Sequence, residues 1–261
     1  MIAGISWTTV VLVTLVVFVA GATNGLAGFG FAVVGTMALA TLFDPATAVV
    51  FMILPILAVN LSLVRELSGD QLRTCSRGFW PLVGAALVGT VLGMAVLGSL
   101  PAAPVRVGLG TLTLAFVGTT QRRVALPGLP VGWSGPSGHR RSGMAGVGAV
   151  SGLLFGGTNV GIQFVAYLRS FDLSHGLFVG VVALVFLGLN GVRVVLALLF
   201  GLYPSAGVLL ASVAATLPAV LGVAVGSRLR ARTGERTRRF VVLGLLTVVG
   251  VRLVAGGLQL P

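Results

Sequence analysis

Long apolar runs, separated by short polar stretches, make up almost the whole chain. They fall at 8–43, 45–64, 79–98, 104–120, 143–168, 174–202, 205–226 and 238–258. A helix rises about 1.5 Å per residue, so runs of this kind suit a hydrocarbon layer about 30 Å thick. The pattern predicts an all-α integral membrane protein. Two runs carry glycine clusters, Gly21-Ala-Thr-Asn-Gly-Leu-Ala-Gly-Phe-Gly30 and Gly148-Ala-Val-Ser-Gly-Leu-Leu-Phe-Gly-Gly157. A broken helix in lipid is costly unless its freed backbone groups line a cavity or meet a ligand. Paired breaks in the two halves of such a chain point to a transporter's binding site.

The two clusters superimpose at an offset of 127, which aligns Gly21 with Gly148, Gly25 with Gly152 and Gly30 with Gly157. Phe43-Asp44 matches Phe171-Asp172, and Arg65 matches Arg193, both at an offset of 128. Further on, Leu92-Gly-Met-Ala-Val-Leu-Gly-Ser99 resembles Leu221-Gly-Val-Ala-Val-Gly-Ser227. These matches keep the same order and imply duplication. They divide the chain into a first membrane repeat (1–120), a Pro/Gly/Arg-rich linker (121–142) and a second membrane repeat (143–261).

Composition agrees with the pattern. Hydrophobic residues are 56% of 261 and charged residues 8%, against about a quarter charged in soluble domains. All 17 basic residues are arginines, and most cluster between the apolar runs. The +12 net charge therefore reads as cytoplasmic loop charge and not as a nucleic-acid surface. Cys75 is the only cysteine, which excludes an internal disulfide. Two histidines and five acids make a dedicated metal cage improbable. No nucleophile motif, P-loop or HExxH occurs, so no catalytic residue, cofactor or metal ligand is expected.

The arginines also set the orientation. Loops 65–77, 121–142 and 227–239 are all basic, and the positive-inside rule puts all three in the cytoplasm. Eight single crossings would put 227–239 on the wrong side. If 8–43 and 143–168 are instead hairpins bent near Asn24–Gly30 and Gly156–Gly161, all three loops fall inside and both termini outside. Each repeat is then one glycine-broken helical hairpin plus three transmembrane helices, and the two repeats are inverted.

Candidate substrate-binding residues lie at the bends. The first bend holds Asn24, Gly25, Gly28 and Gly30; the second holds Ser151, Gly152, Gly156, Gly157, Thr158, Asn159 and Gln163. Helices starting there would direct N–H groups and positive dipole ends at an anion. Close packing through small residues is the competing account of these glycines. Arg193, one turn after Asn190, stands inside an apolar run where insertion costs roughly 2.5–3.5 kcal/mol. Either it binds an oxyanion with Asn190, or it snorkels to the outer interface. Asp44 and Asp172 precede spans and suit helix caps, with proton coupling as the alternative. His175 reads as a loop residue.

Asn24-Gly-Leu-Ala-Gly-Phe-Gly-Phe31, Asp44-Pro-Ala-Thr-Ala-Val49 and Gly152-Leu-Leu-Phe-Gly-Gly-Thr-Asn159 together resemble the TauE/SafE-type sulfite exporter family. The Leu-Gly-x-x-x-Gly-Ser pattern before Arg228 adds to the likeness, which spans both halves and the linker. The resemblance implies a multi-pass plasma-membrane permease of two similar halves. Its expected solutes are sulfite, organosulfonates and small carboxylates. Phe31 and Thr158 stand where the usual pattern has a third glycine, and Phe31 would reshape a pocket.

The resulting expectation is a secondary transporter, and specifically an exporter, of a small anion. Its partners are that solute and the lipid bilayer, with no nucleic acid, and a homo-oligomer is left open. An anion channel and a non-transporting membrane subunit anchoring a partner enzyme are the alternatives.

Overall fold

The computed structural model describes residues 6–27, 30–64, 69–97, 99, 101–122, 141–169, 175–230 and 232–258. Gly28, Asp172 and most of the linker 121–142 lie outside the described residues. The first half contains α1 (Trp7–Ala27), α2 (Phe31–Ala40), α3 (Pro45–Phe51), α4 (Ile53–Val64), α5 (Gly69–Leu97) and α6 (Ala102–Arg122). The second half contains α7 (Arg141–Thr158), α8 (Ile162–Arg169), α9 (His175–Leu199), α10 (Ala206–Ala214), α11 (Thr216–Arg230) and α12 (Glu235–Leu258). No strand occurs among the described residues. Five helical stretches are long and apolar enough to cross a membrane: Trp7–Leu26, Pro45–Val64, Phe79–Leu97, Gly180–Leu199 and Ala206–Arg230.

Surface and interior are arranged as lipid requires. Trp7, Leu15, Val88, Val150, Leu199, Leu217 and Phe240 face outward, while Asn24, Asn60, Thr36, Asn159, Asn190 and Arg193 are buried. A bilayer solvates the apolar exterior, so polar groups gather inside, where they find partners or line a path.

Helices are interrupted at both of the places where bends were expected. In the first, α1 ends at Ala27 and α2 begins at Phe31; in the second, residues 159–161 separate α7 from α8. Gly30 stands just before α2 with φ 105°, in the left-handed region that suits glycine. Asn159 adopts φ 60°, which asparagine tolerates better than most side chains. Two more breaks were not anticipated. The run 45–64 is divided at Met52, and 205–226 is divided at Ala215. Prolines explain both: Pro55 and Pro218 have no N–H to offer the carbonyls of Phe51 and Ala214, four residues earlier.

The main helix pairs are α5 with α7, α1 with α11, α6 with α12 and α4 with α9. α9 also packs on α5, and α11 on α4. Glycines make the first two pairs close. A methyl group on Gly152 would collide with the Ala86 carbonyl, and one on Gly25 with the Val223 carbonyl. Pair α5–α7 therefore meets backbone to backbone through Gly89, Gly93, Gly152 and Gly156, and α1–α11 through Gly21, Gly25, Gly222 and Gly226. Ends are tied locally. The Asp44 carboxylate accepts from the N–H of Thr47 at 3.2 Å, with Pro45 opening α3. Arg106 on α6 donates to the carbonyl of Phe43 at 3.2 Å.

A cleft and a buried arginine between the two bends

The bends converge on a small cleft, about 40 Å³ in volume. Gly30, Phe31, Ala32 and Val33 enter it from the first bend, and Gly161 and Val165 from the second. Asn24 on α1, Ile56, Val59, Asn60 and Leu63 on α4, and Val182, Ala183 and Phe186 on α9 complete the lining. Most of this wall is hydrocarbon, and its polar side chains are two carboxamides.

Those carboxamides are oriented by the backbone. Asn24 Oδ1 accepts from the N–H of Phe31 at 3.3 Å, so the last turn of α1 caps the start of α2. The first-turn N–H groups of Ala32 and Val33 have no acceptor within their own helix, as at any helix start. Asn60 donates from Nδ2 to the carbonyl of Ile56 at 2.9 Å. Two carboxamides and the N–H groups of a helix start therefore adjoin an apolar wall, a combination that suits a small anion with its body on hydrocarbon and its charge at the helix start.

Arg193 lies beyond this cleft and does not line it. Its side chain is 0% exposed. Nη1 donates to Oδ1 of Asn159 and, at 3.1 Å, to Oδ1 of Asn190, while Nη2 donates to the carbonyl of Gly156 at 3.3 Å. Nε has no hydrogen-bond partner. The guanidinium also sits over the Phe155 ring, 4.9 Å from its centroid. Phe155 stacks on Phe186 at 4.9 Å, and Phe164 meets both rings edge-on. Phe186 lines the cleft, so two stacked rings separate the cation from the cavity. Snorkelling is excluded: the guanidinium points into the protein.

Asn159 is the hub. Its Nδ2 donates to Thr36 Oγ1 on α2 at 2.8 Å and to the carbonyl of Val49 on α3 at 2.9 Å. The helix break at Met52 leaves carbonyls near it free to be captured this way. Ser212 on α10 donates in the same manner to the Phe51 carbonyl at 2.5 Å, filling the bond that Pro55 cannot make.

The sequence-predicted residues thus divide into groups. Asn24 and Gly30 line the cleft. Asn159, Asn190 and Arg193 form the buried network, with the Gly156 carbonyl as an acceptor. Gly25, Gly152 and Gly156 sit at helix crossings, and Ser151 and Gly157 are buried within α7. Thr158 Oγ1 accepts from the N–H of Val160 at 3.2 Å and so helps end α7. Gln163 is half-buried with its Oε1 unpartnered. Asp44 is exposed, caps α3 and is absent from the cleft lining. Thr36, Asn60, Phe155 and Ser212 were not foreseen. The signal available for Ser212 was Pro55, whose missing N–H demands an outside donor. The partners of Thr36 and Phe155, and the other walls of the cleft that Asn60 lines, come from distant segments, which no local pattern marks.

Among the described residues, no group of three or more histidines, cysteines or acids is placed to hold a metal ion. No curated protein and no solved structure matches the chain. A family model described as Sulfite exporter TauE/SafE does match, over residues 13–253, nearly the full length. The chain belongs to the TauE/SafE sulfite exporter family.

Proposed function

We propose that the protein is a secondary transporter that exports a small anion across the plasma membrane, the solute being sulfite, an organosulfonate or a small carboxylate. One observation carries this reading: both bends deliver backbone to a single cleft, lined also by the carboxamides of Asn24 and Asn60 and by the first turn of α2. An anion there exchanges water for fixed N–H groups without meeting a carboxylate. Arg193 adds a long-range pull. Across about 10 Å at an effective dielectric of about 20, one unit charge is worth on the order of 1–2 kcal/mol.

Alternating access by rocking of two inverted repeats is the mechanism that fits. Mapping α1 to α7, α2 to α8, α3/α4 to α9, α5 to α10/α11 and α6 to α12 makes the helix pairs reciprocal. The pair α1–α11 becomes α7–α5, and α4–α11 becomes α9–α5; α4–α9 and α6–α12 map onto themselves. This reciprocity supports a duplicated, pseudo-symmetric design.

The test is flux into liposomes containing the purified protein, with sulfite, sulfate, sulfoacetate, lactate and taurine offered in turn. Saturable uptake of one anion class, with counter-transport of labelled solute, is expected. A flux that never saturates would make the protein a channel, and no flux of any solute would overturn the proposal.

A further inference from the structure

We infer that this is the inward-facing state of the carrier, and that Asn159, held by Arg193, is the latch that shuts its outer side. The cleft runs along α4 from Ile56 to Leu63, towards the end of α4 that precedes the arginine-rich stretch 65–77, which the positive-inside rule places in the cytoplasm. Arg193 lies seven residues beyond Phe186 on α9, about 10 Å further along the axis. At that level the passage is closed three times over. The stacked rings of Phe186 and Phe155 roof the cleft. Above them Asn159 bonds across to α2 and α3, joining the second half to the first. Beyond that lies a buried apolar cluster of Val49, Val50, Ile53, Met94, Leu97 and Ala197.

The latch is built to break. Its two bonds to the first half end on a threonine hydroxyl and on a carbonyl beside the Met52 break, so α3 can leave without losing its own helix. Arg193 fixes the Asn159 carboxamide in the donating orientation by engaging its oxygen from the other side. Asn159 and Arg193 are thereby positioning residues for alternating access, with no need to touch the solute. The inference rests on the carrier reading, but its test needs no transported solute.

In a Cys75→Ser background, Ala183→Cys places one thiol in the cleft wall. A membrane-impermeant thiol reagent applied to right-side-out and inside-out vesicles reads which side reaches it. With the latch intact, labelling is expected from the cytoplasmic side alone. Thr36→Val removes one bond with little change of shape, and Asn159→Gly removes both while keeping the left-handed backbone. Each should raise labelling from outside at least fivefold. Outside labelling with the latch intact, or unchanged sidedness in Thr36→Val and in Asn159→Gly where that variant folds, overturns the inference. A protein that switches sides yet moves no anion would sink the transport reading alone.

Discussion

Asn159 in the second half donates its carboxamide to the hydroxyl of Thr36 in the first at 2.8 Å, across 123 positions of sequence. That bond and its companion to the Val49 carbonyl tie the second bend to α2 and α3. A buried neutral hydrogen bond contributes about 0.5–1.5 kcal/mol, so the pair is worth roughly 1–3 kcal/mol. An energy of this size biases two states by about one to two powers of ten and is still readily reversed by a ligand.

Arginine cannot be exchanged for lysine at 193. The planar guanidinium serves Asn159, Asn190 and Gly156 together, whereas an ammonium cannot hold the same three acceptors from one point. Arg193→Lys should lower the anion transport rate at least tenfold and destabilise the fold by about 1–3 kcal/mol. Flux and thermal unfolding of the same preparation check both expectations.

Asn24 and its acid analogue separate folding from solute binding. Asp at this position keeps an oxygen for the Phe31 N–H but loses the Nδ2 donor and places negative charge against the cleft. Asn24→Asp should therefore fold normally and raise the KM for an anion by at least tenfold. An unchanged KM would remove Asn24 from the binding surface.

Glycines in this chain should respond to substitution according to their place at helix crossings. A Cβ at Gly152 runs into the Ala86 backbone, while at Gly188 it meets nothing within 4 Å. Gly152→Ala should cost about 1–3 kcal/mol by forcing α5 and α7 apart. Gly188→Ala should be neutral or slightly stabilising, because alanine is the better helix former. Melting temperatures in detergent distinguish the two.

Pro55 creates the break that exposes the Phe51 carbonyl to Ser212. Pro55→Ala restores an N–H that competes for this carbonyl and straightens the α3/α4 helix. Transport should slow severalfold with stability retained, since a helical hydrogen bond replaces the tertiary one. A flux equal to wild type would show that the break has no part in the cycle.

Much was legible in the one-dimensional pattern. Apolar runs, glycine clusters and arginine-rich loops together gave the membrane class and both bends, because lipid allows few backbone solutions and charge rarely crosses it. Asn24, Gly30, Asn159, Asn190 and Arg193 were singled out because buried polarity and paired glycines stand out in an apolar chain; the structure puts the first two in the cleft wall and the other three in one buried network beside it. The Asp44 cap was equally local.

Tertiary structure alone decided what each polar group faces. Gly25 and Gly152 resemble bend residues in sequence, yet the helices that press on them come from 223 and 86, far along the chain. Arg193 gave no hint of whether it met solute, lipid or protein until Asn159, Gly156 and the Phe155 ring were brought around it. Local composition fixes the cost of placing a group in the membrane. Which neighbour offsets that cost depends on long-range packing, and packing leaves no periodic mark in the sequence.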